Sequence, residues 1–260
     1  MKRYQKDELK VQVYKNRAAM GKAAAEDLAA KMKELLSTQE SLNIVFASAP
    51  SQNDFFEHLV AMDVDFSKVT AFHLDEYIGL PSDAPQGFGN FLKERLFSKL
   101  KFGAIYYIDS QAADAEEECN RYAALINKAP IDIVCMGIGE NAHIAFNDPP
   151  VADFNDPKTV KVVELDLVCR QQQVNDGCFA SLEDVPTRAL TLTIPPFLKA
   201  KTLLCMVPAT TKANAVYNSL EKEISTEYPA SILRIKAGAT MYLDEDSSSR
   251  LSEVSGLEVL

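Results

Sequence analysis

The sequence predicts an α/β fold: a single domain whose largely parallel central sheet is flanked by helices on both faces. Three observations carry that expectation. Short apolar runs rich in Val, Ile and Leu recur along the chain, as strands buried on both faces require. Between them lie stretches whose apolar residues repeat at helical spacing. No composition break, Gly/Ser linker or internal repeat divides the 260 residues, so residues 1–260 read as one unit.

The alternation runs in order. Ala18 to Leu36 is alanine-rich and amphipathic, a helix. NIVFAS (43–48) is a strand, followed by SAPSQ and a helix near 53–62. KVTAFHL (68–74) and AIYYI (104–108) read as strands, with helices over 87–99 and 112–127. IDIVCM (131–136), TVKVVEL (159–165), ALTLTI (189–194) and KTLLCMV (201–207) are further strands. PATT then leads into a helix from Lys212 to Leu220, and ATMYLD (239–244) closes the pattern. Strands separated by helices describe a Rossmann-like layering. In such sheets ligands bind beyond the carboxyl ends of the strands. That rule selects four loops: SAPSQ, DEYIGLPSDAPQG, GIGENAHIAFNDPP and PATTK. The Gly/Pro/Ser content of residues 79–90 suits a lid, and suits a structural loop equally.

Bulk properties narrow the partners. The formal net charge of −10 repels nucleic acid and acidic membrane surfaces, which leaves a small molecule as the expected partner. No apolar segment reaches the ~18 residues of a membrane helix. The start, MKRYQKDELKVQVY, lacks a signal-peptide core, so a cytoplasmic location is expected. Five cysteines without a CxxC pair read as reduced thiols, mostly core filler. His58, His73 and His143 are too dispersed to suggest a metal site.

Chemistry concentrates in those loops. Asp75 and Glu76 end strand 68–74, and alternation points them to opposite faces. One then enters the cleft, where a shielded carboxylate acts as a base near neutral pH; an isolated pair reads more readily as a solvated acidic turn. Gly137 and Gly139 permit a sharp turn and close approach of backbone to ligand. His143 titrates in the range of a proton shuttle, with Asn141 and Asp148 near enough in sequence to orient it. Thr210, Thr211 and Lys212 begin a helix, where hydroxyls, free N–H groups and an ammonium suit a phosphate. Ser48 and Ser51 offer the same, and CRQQQVNDGCF (169–179) contributes a row of amides and Arg170, a bidentate oxyanion ligand or equally a surface ion pair.

Together LDEYIGL and GIGENAHIAFNDPP, supported by RALTLTIP, PATTKA and PASIL, resemble the glucosamine-6-phosphate deaminase (isomerase) family, over roughly residues 15 to 245. Its superfamily includes the 6-phosphogluconolactonases. The resemblance implies an enzyme of amino-sugar metabolism that converts glucosamine 6-phosphate and water to fructose 6-phosphate and ammonium, without metal or organic cofactor. His143 would promote ring opening and Asp75 move the proton between C2 and C1. Ser48, Ser51 and Lys212 would hold the phosphate, with Glu76, Gly137, Gly139 and Arg170 also on the substrate side. Family members range from monomers to hexamers, so a homo-oligomer is within the resemblance. Alternatives are galactosamine 6-phosphate deamination, lactone hydrolysis, or a sugar-phosphate sensor that has lost catalysis.

The chain also departs from the family pattern. Asn141 stands where an aspartate is usual, Asp148 where a glutamate is, and Ala142 where a glycine is. Asn141 accepts a hydrogen bond but adds no charge, which implies weaker proton shuttling. SAPS replaces a glycine-rich phosphate loop. The phosphate arginine aligns near Asn175, leaving Arg170 as its expected substitute. The basic residues of the allosteric N-acetylglucosamine 6-phosphate site are not recovered, so no such allostery is expected.

Overall fold

A computed structural model describes residues 1–260. Its main sheet has nine strands: β1 (Lys2–Lys6), β2 (Leu9–Tyr14), β3 (Leu42–Phe46), β4 (Val69–His73), β6 (Ala104–Ile105), β7 (Ile133–Met136), β10 (Thr202–Val207), β11 (Ala239–Asp244) and β12 (Glu258–Val259). They lie in the order β12-β1-β2-β11-β10-β7-β3-β4-β6. Every pair from β2 to β6 is parallel, and β1 and β12 add an antiparallel edge.

Along a strand buried on both sides, successive residues serve different cores. In β10, Leu203, Cys205 and Val207 face one cluster while Leu204 and Met206 face the other. The second face is covered by α1 (Arg17–Leu36), α2 (Asn53–Val60) and α3 (Phe88–Leu92, continued as a wider π turn to Phe97). Asn16 caps α1 by accepting from Ala19 N–H, and Met20, Ala24, Leu28 and Met32 form its buried stripe. Gly21 is required there: a Cβ would lie 2.7 Å from the Asp54 backbone, so α1 and α2 touch main chain to main chain. The first face carries α4 (Ala115–Ile126), α6 (Ile194–Lys199) and α7 (Ala213–Glu221).

Two expected strands leave this sheet. β8 (Val160–Glu164) and β9 (Arg188–Leu192) pair antiparallel with each other, and β9 pairs with β5 (Asp75–Tyr77) as a separate three-stranded sheet. Its own core gathers Tyr77, Phe88, Phe146, Cys169 and Phe179. AIYYI is paired only at Ala104–Ile105, and α5 (Leu167–Asn175) takes up the first part of the 169–179 segment that carries the row of amides. Asp75 therefore stands where the chain passes from one sheet to the other.

Going outward, β3, β4 and β6 progress one way and β7, β10 and β11 the other, so the direction reverses between β3 and β7. A crevice opens at the carboxyl ends of strands at such a point. No helix is long and apolar enough to cross a membrane.

Candidate active site

The crevice is lined by loops following β3, β4, β7 and β10, closed on one side by α5. Ser48, Ser51, Asp75, Gly137, Gly139, His143 and Lys212 all border it. Each is delivered by the end of a buried strand, so the sheet core fixes their spacing.

Asp75 is buried, and no donor of the chain reaches its carboxylate. Burial, with the neighbouring Glu76 and Asp148 charges, pushes its pKa well above the ordinary 3.8. Its backbone is fixed by His73. The fully buried His73 Nε2 accepts from Ile108 N–H at 2.9 Å, so Nδ1 carries the proton and donates to the Asp75 carbonyl at 3.0 Å. The Tyr122 hydroxyl accepts from His73 N–H and donates to His73 C=O. Desolvation holds the His73 pKa down to about 4, so the ring is neutral.

Glu76, expected on the substrate side, faces away from Asp75, as strand alternation dictates. Its carboxylate accepts from the N–H groups of Tyr77, Phe88 and Gly89 and so caps α3. It is a structural anchor for the 79–90 segment, of which Phe88 alone borders the crevice.

The histidine loop is built backbone to ring. A Cβ on Gly139 would overlap the His143 imidazole, so a glycine is obligatory there. The His143 Nδ1 lies 2.9 Å from Asp148 Oδ1, although the ring N–H is not aligned on that oxygen. Asn141 does not touch the ring. Its side chain accepts from His143 N–H at 3.1 Å and donates to Asp148 Oδ1 at 2.9 Å, fixing loop and carboxylate together. Burial raises the Asp148 pKa, but His143 and the hydrogen bonds around it outweigh this and leave it below 3.8. Ala142 holds φ of 65° and Ala145 of 50°, in the left-handed region.

Arg170, expected to replace the phosphate arginine, points away. Its guanidinium donates to the carbonyls of Leu182 and Val185. Two and three residues further along, α5 instead turns Gln172 and Gln173 into the crevice, with Asp176 just beyond its end. The cations bordering the crevice are Lys212 and Arg17. Lys212 is buried, enters no ion pair, and desolvation lowers its pKa. Arg17 is held by Asp54 and the Pro50 carbonyl. Sequence reasoning missed Arg17 and Asp176, and found Gln172 and Gln173 only as part of the amide row, because nothing in a linear stretch gives the rotation of α5 or the approach of α1. Ala209, beside Lys212, sits at φ 82°, ψ 150°, a region that glycine favours, held by Asp244 accepting from its N–H.

The arrangement offers a shielded carboxylate base, a histidine backed by a carboxylate, and an unpaired ammonium at the other end. One cluster in the chain also has metal-binding composition, His143, Asp148 and Cys169. Burial raises the Cys169 thiol well above its ordinary pKa, so it is no ready nucleophile.

Known proteins share this framework. A glucosamine-6-phosphate deaminase of Bacillus cereus (strain B4264) is 35% identical over 222 residues, covering 85% of this chain and 83% of the relative. The solved structure of a monomeric glucosamine-6-phosphate deaminase superposes with a TM-score of 0.85 at 29% identity, over 92% of this chain and 98% of that one. The 6-phosphogluconolactonase of Thermotoga maritima shares the fold at a TM-score of 0.73 and 20% identity, over 90% and 98% of the two chains. The family model described as glucosamine-6-phosphate isomerases/6-phosphogluconolactonase matches residues 15–242. With the family model matched across that span and the relative 35% identical, the chain belongs to the glucosamine-6-phosphate isomerase/6-phosphogluconolactonase family of enzymes.

Proposed function

We propose that the protein is a glucosamine-6-phosphate deaminase-isomerase. The observation that carries this reading is Asp75, a buried carboxylate without a donor, bordering the same crevice as His143. His143 protonates the ring oxygen as the C1 hydroxyl loses its proton, giving the open-chain aldehyde. Asp75 then takes the C2 proton and returns it to C1. The resulting fructose imine adds water and releases ammonium, leaving fructose 6-phosphate. The substrate's own C2 ammonium, brought beside Asp75, offsets the desolvation that otherwise keeps the acid protonated. Lys212, Ser48 and Ser51 hold the phosphate.

Asp75 also argues against lactone hydrolysis, which needs an activated water and no C2 proton transfer. The test is ammonia release from glucosamine 6-phosphate, with galactosamine 6-phosphate in parallel. Turnover of the first, falling at least ~100-fold in Asp75→Asn and in His143→Gln, is expected. Turnover of galactosamine 6-phosphate alone moves the substrate and keeps the mechanism. Sugar-phosphate binding without ammonia release from either overturns the reading.

A further inference from the structure

Behind the His143 ring, three side chains of mixed chemistry converge in a buried site. The ligand atoms of His143, Asp148 and Cys169 all lie within 4.8 Å of one another, and no other group of three such side chains in the chain does so. Two of those atoms lack an aligned hydrogen bond. Asp148 Oδ1 accepts from Asn141 and lies 2.9 Å from His143 Nδ1, while its Oδ2 has no aligned partner although the residue is 1% exposed. His143 Nδ1 is likewise buried without an aligned bond, in a residue 8% exposed. Buried polar atoms without partners are rare and point to a missing ligand. The donor set, one imidazole nitrogen, one carboxylate oxygen and one thiol sulfur, is a borderline-soft set of zinc type.

From this geometry we infer that His143, Asp148 and Cys169 form a site for one thiophilic divalent cation, zinc in class, on the side of the imidazole away from the substrate crevice. Bonds of about 2.0–2.3 Å hold tetrahedral donors roughly 3.5 Å apart. The cluster therefore closes by about 1 Å at its widest pair. Binding releases the thiol proton and leaves the remaining imidazole proton on Nε2. With Nδ1 occupied by the metal, His143 can no longer exchange a proton by switching tautomers. The site is thus inhibitory. Gln172 and Gln173 of the same helix as Cys169 border the crevice, so an ion entering beside α5 meets the thiol one turn along.

The inhibitory half rests on the proposed deaminase reaction, and the binding half does not. The metal-free full-length protein is titrated with Co²⁺ alone and followed by absorption. A thiolate-to-cobalt charge-transfer band saturating at a single equivalent, abolished by Zn²⁺, absent in Cys169→Ser and retained in Cys178→Ser, is the expected result. No band in the wild type, or a band that survives Cys169→Ser, overturns the site irrespective of substrate. Asp148→Asn is expected to weaken Co²⁺ binding at least tenfold, and unchanged binding removes Asp148 from the ligand set. In ammonia release, Zn²⁺ is expected to suppress a larger fraction of turnover in wild type than in Cys169→Ser; equal fractions overturn the inhibition while leaving the binding result to stand on the cobalt band.

Discussion

The β4–β5 turn and the histidine loop each bring a carboxylate of almost the same burial to one crevice, and treat it oppositely. Asp75 meets no donor, and its pKa rises. Asp148 is met by Asn141 and His143, and its pKa falls. Burial alone therefore does not decide protonation in this site; the charges and donors beside each carboxylate do. Two acids pushed apart in this way divide roles, one free to take a proton and one kept charged to orient an imidazole.

Substitution tests that contrast directly. Asp75→Asn is expected to lower kcat by about 10²–10⁴-fold and yet raise Tm at neutral pH, because a buried acid whose ionisation the fold opposes is removed. Asp148→Asn is expected to lower both, with a stability loss of about 1–2 kcal/mol from weakened charge-assisted bonds. Thermal melts of the two variants shifting in the same direction would break the comparison. The stability signs follow from linkage. Below 3.8 Asp75 costs the fold nothing, and as pH rises past 3.8 toward its folded value the wild type loses stability that Asp75→Asn keeps. Asp148 contributes above 3.8, and that contribution is lost as pH falls through its lower folded value.

A smaller effect sharpens the same point. The acid limb of kcat/KM is expected above 3.8, with activity falling as pH drops and Asp75 takes up its proton. Because the Asp148 charge helps raise Asp75, Asp148→Asn should move that limb to lower pH. A limb that stays put would remove the coupling between the two turns. The smallest effect is backbone strain in the histidine loop. Ala142→Gly relieves a left-handed residue and is expected to stabilise by no more than about 1 kcal/mol, read as a modest rise in Tm.

The strand-end loops were legible in the sequence because each follows a run too apolar to lie anywhere but in a sheet core. Asp75, His143, Ser48, Ser51 and Lys212 meet in one crevice for that reason. Sheet membership was not legible. TVKVVEL and ALTLTI carry the same period as β10, and only the register with Asp75–Tyr77 assigns them to a second sheet. The hairpin β1–β2 escaped although Leu9, Val11 and Val13 alternate with Lys10, Gln12 and Tyr14 as a half-buried strand does, because no continuous apolar run marks it. Arg170 was chosen for its charge, but the phase of α5 gives the crevice its amides instead. Asn141 was placed beside His143 correctly and its partner misjudged: it holds the loop's N–H and the carboxylate, never the ring.

The neutral imidazole that pins Asp75 also sets an acid limit on the whole fold. His73 has an ordinary pKa of 6.5 and a folded one of about 4, so between those values the unfolded chain binds a proton that the native state refuses. Stability is complete above 6.5 and declines as pH falls, at up to about 1.4 kcal/mol per unit, or roughly 3 kcal/mol across the window. Protonation also ends the bond that Nε2 accepts from Ile108, so the strand end carrying Asp75 loosens with the rest of the sheet. A protein with this junction loses His73's share of its stability in mild acid, before most of its carboxylates are neutralised, and His73→Asn should flatten the fall of Tm between pH 6.5 and 4.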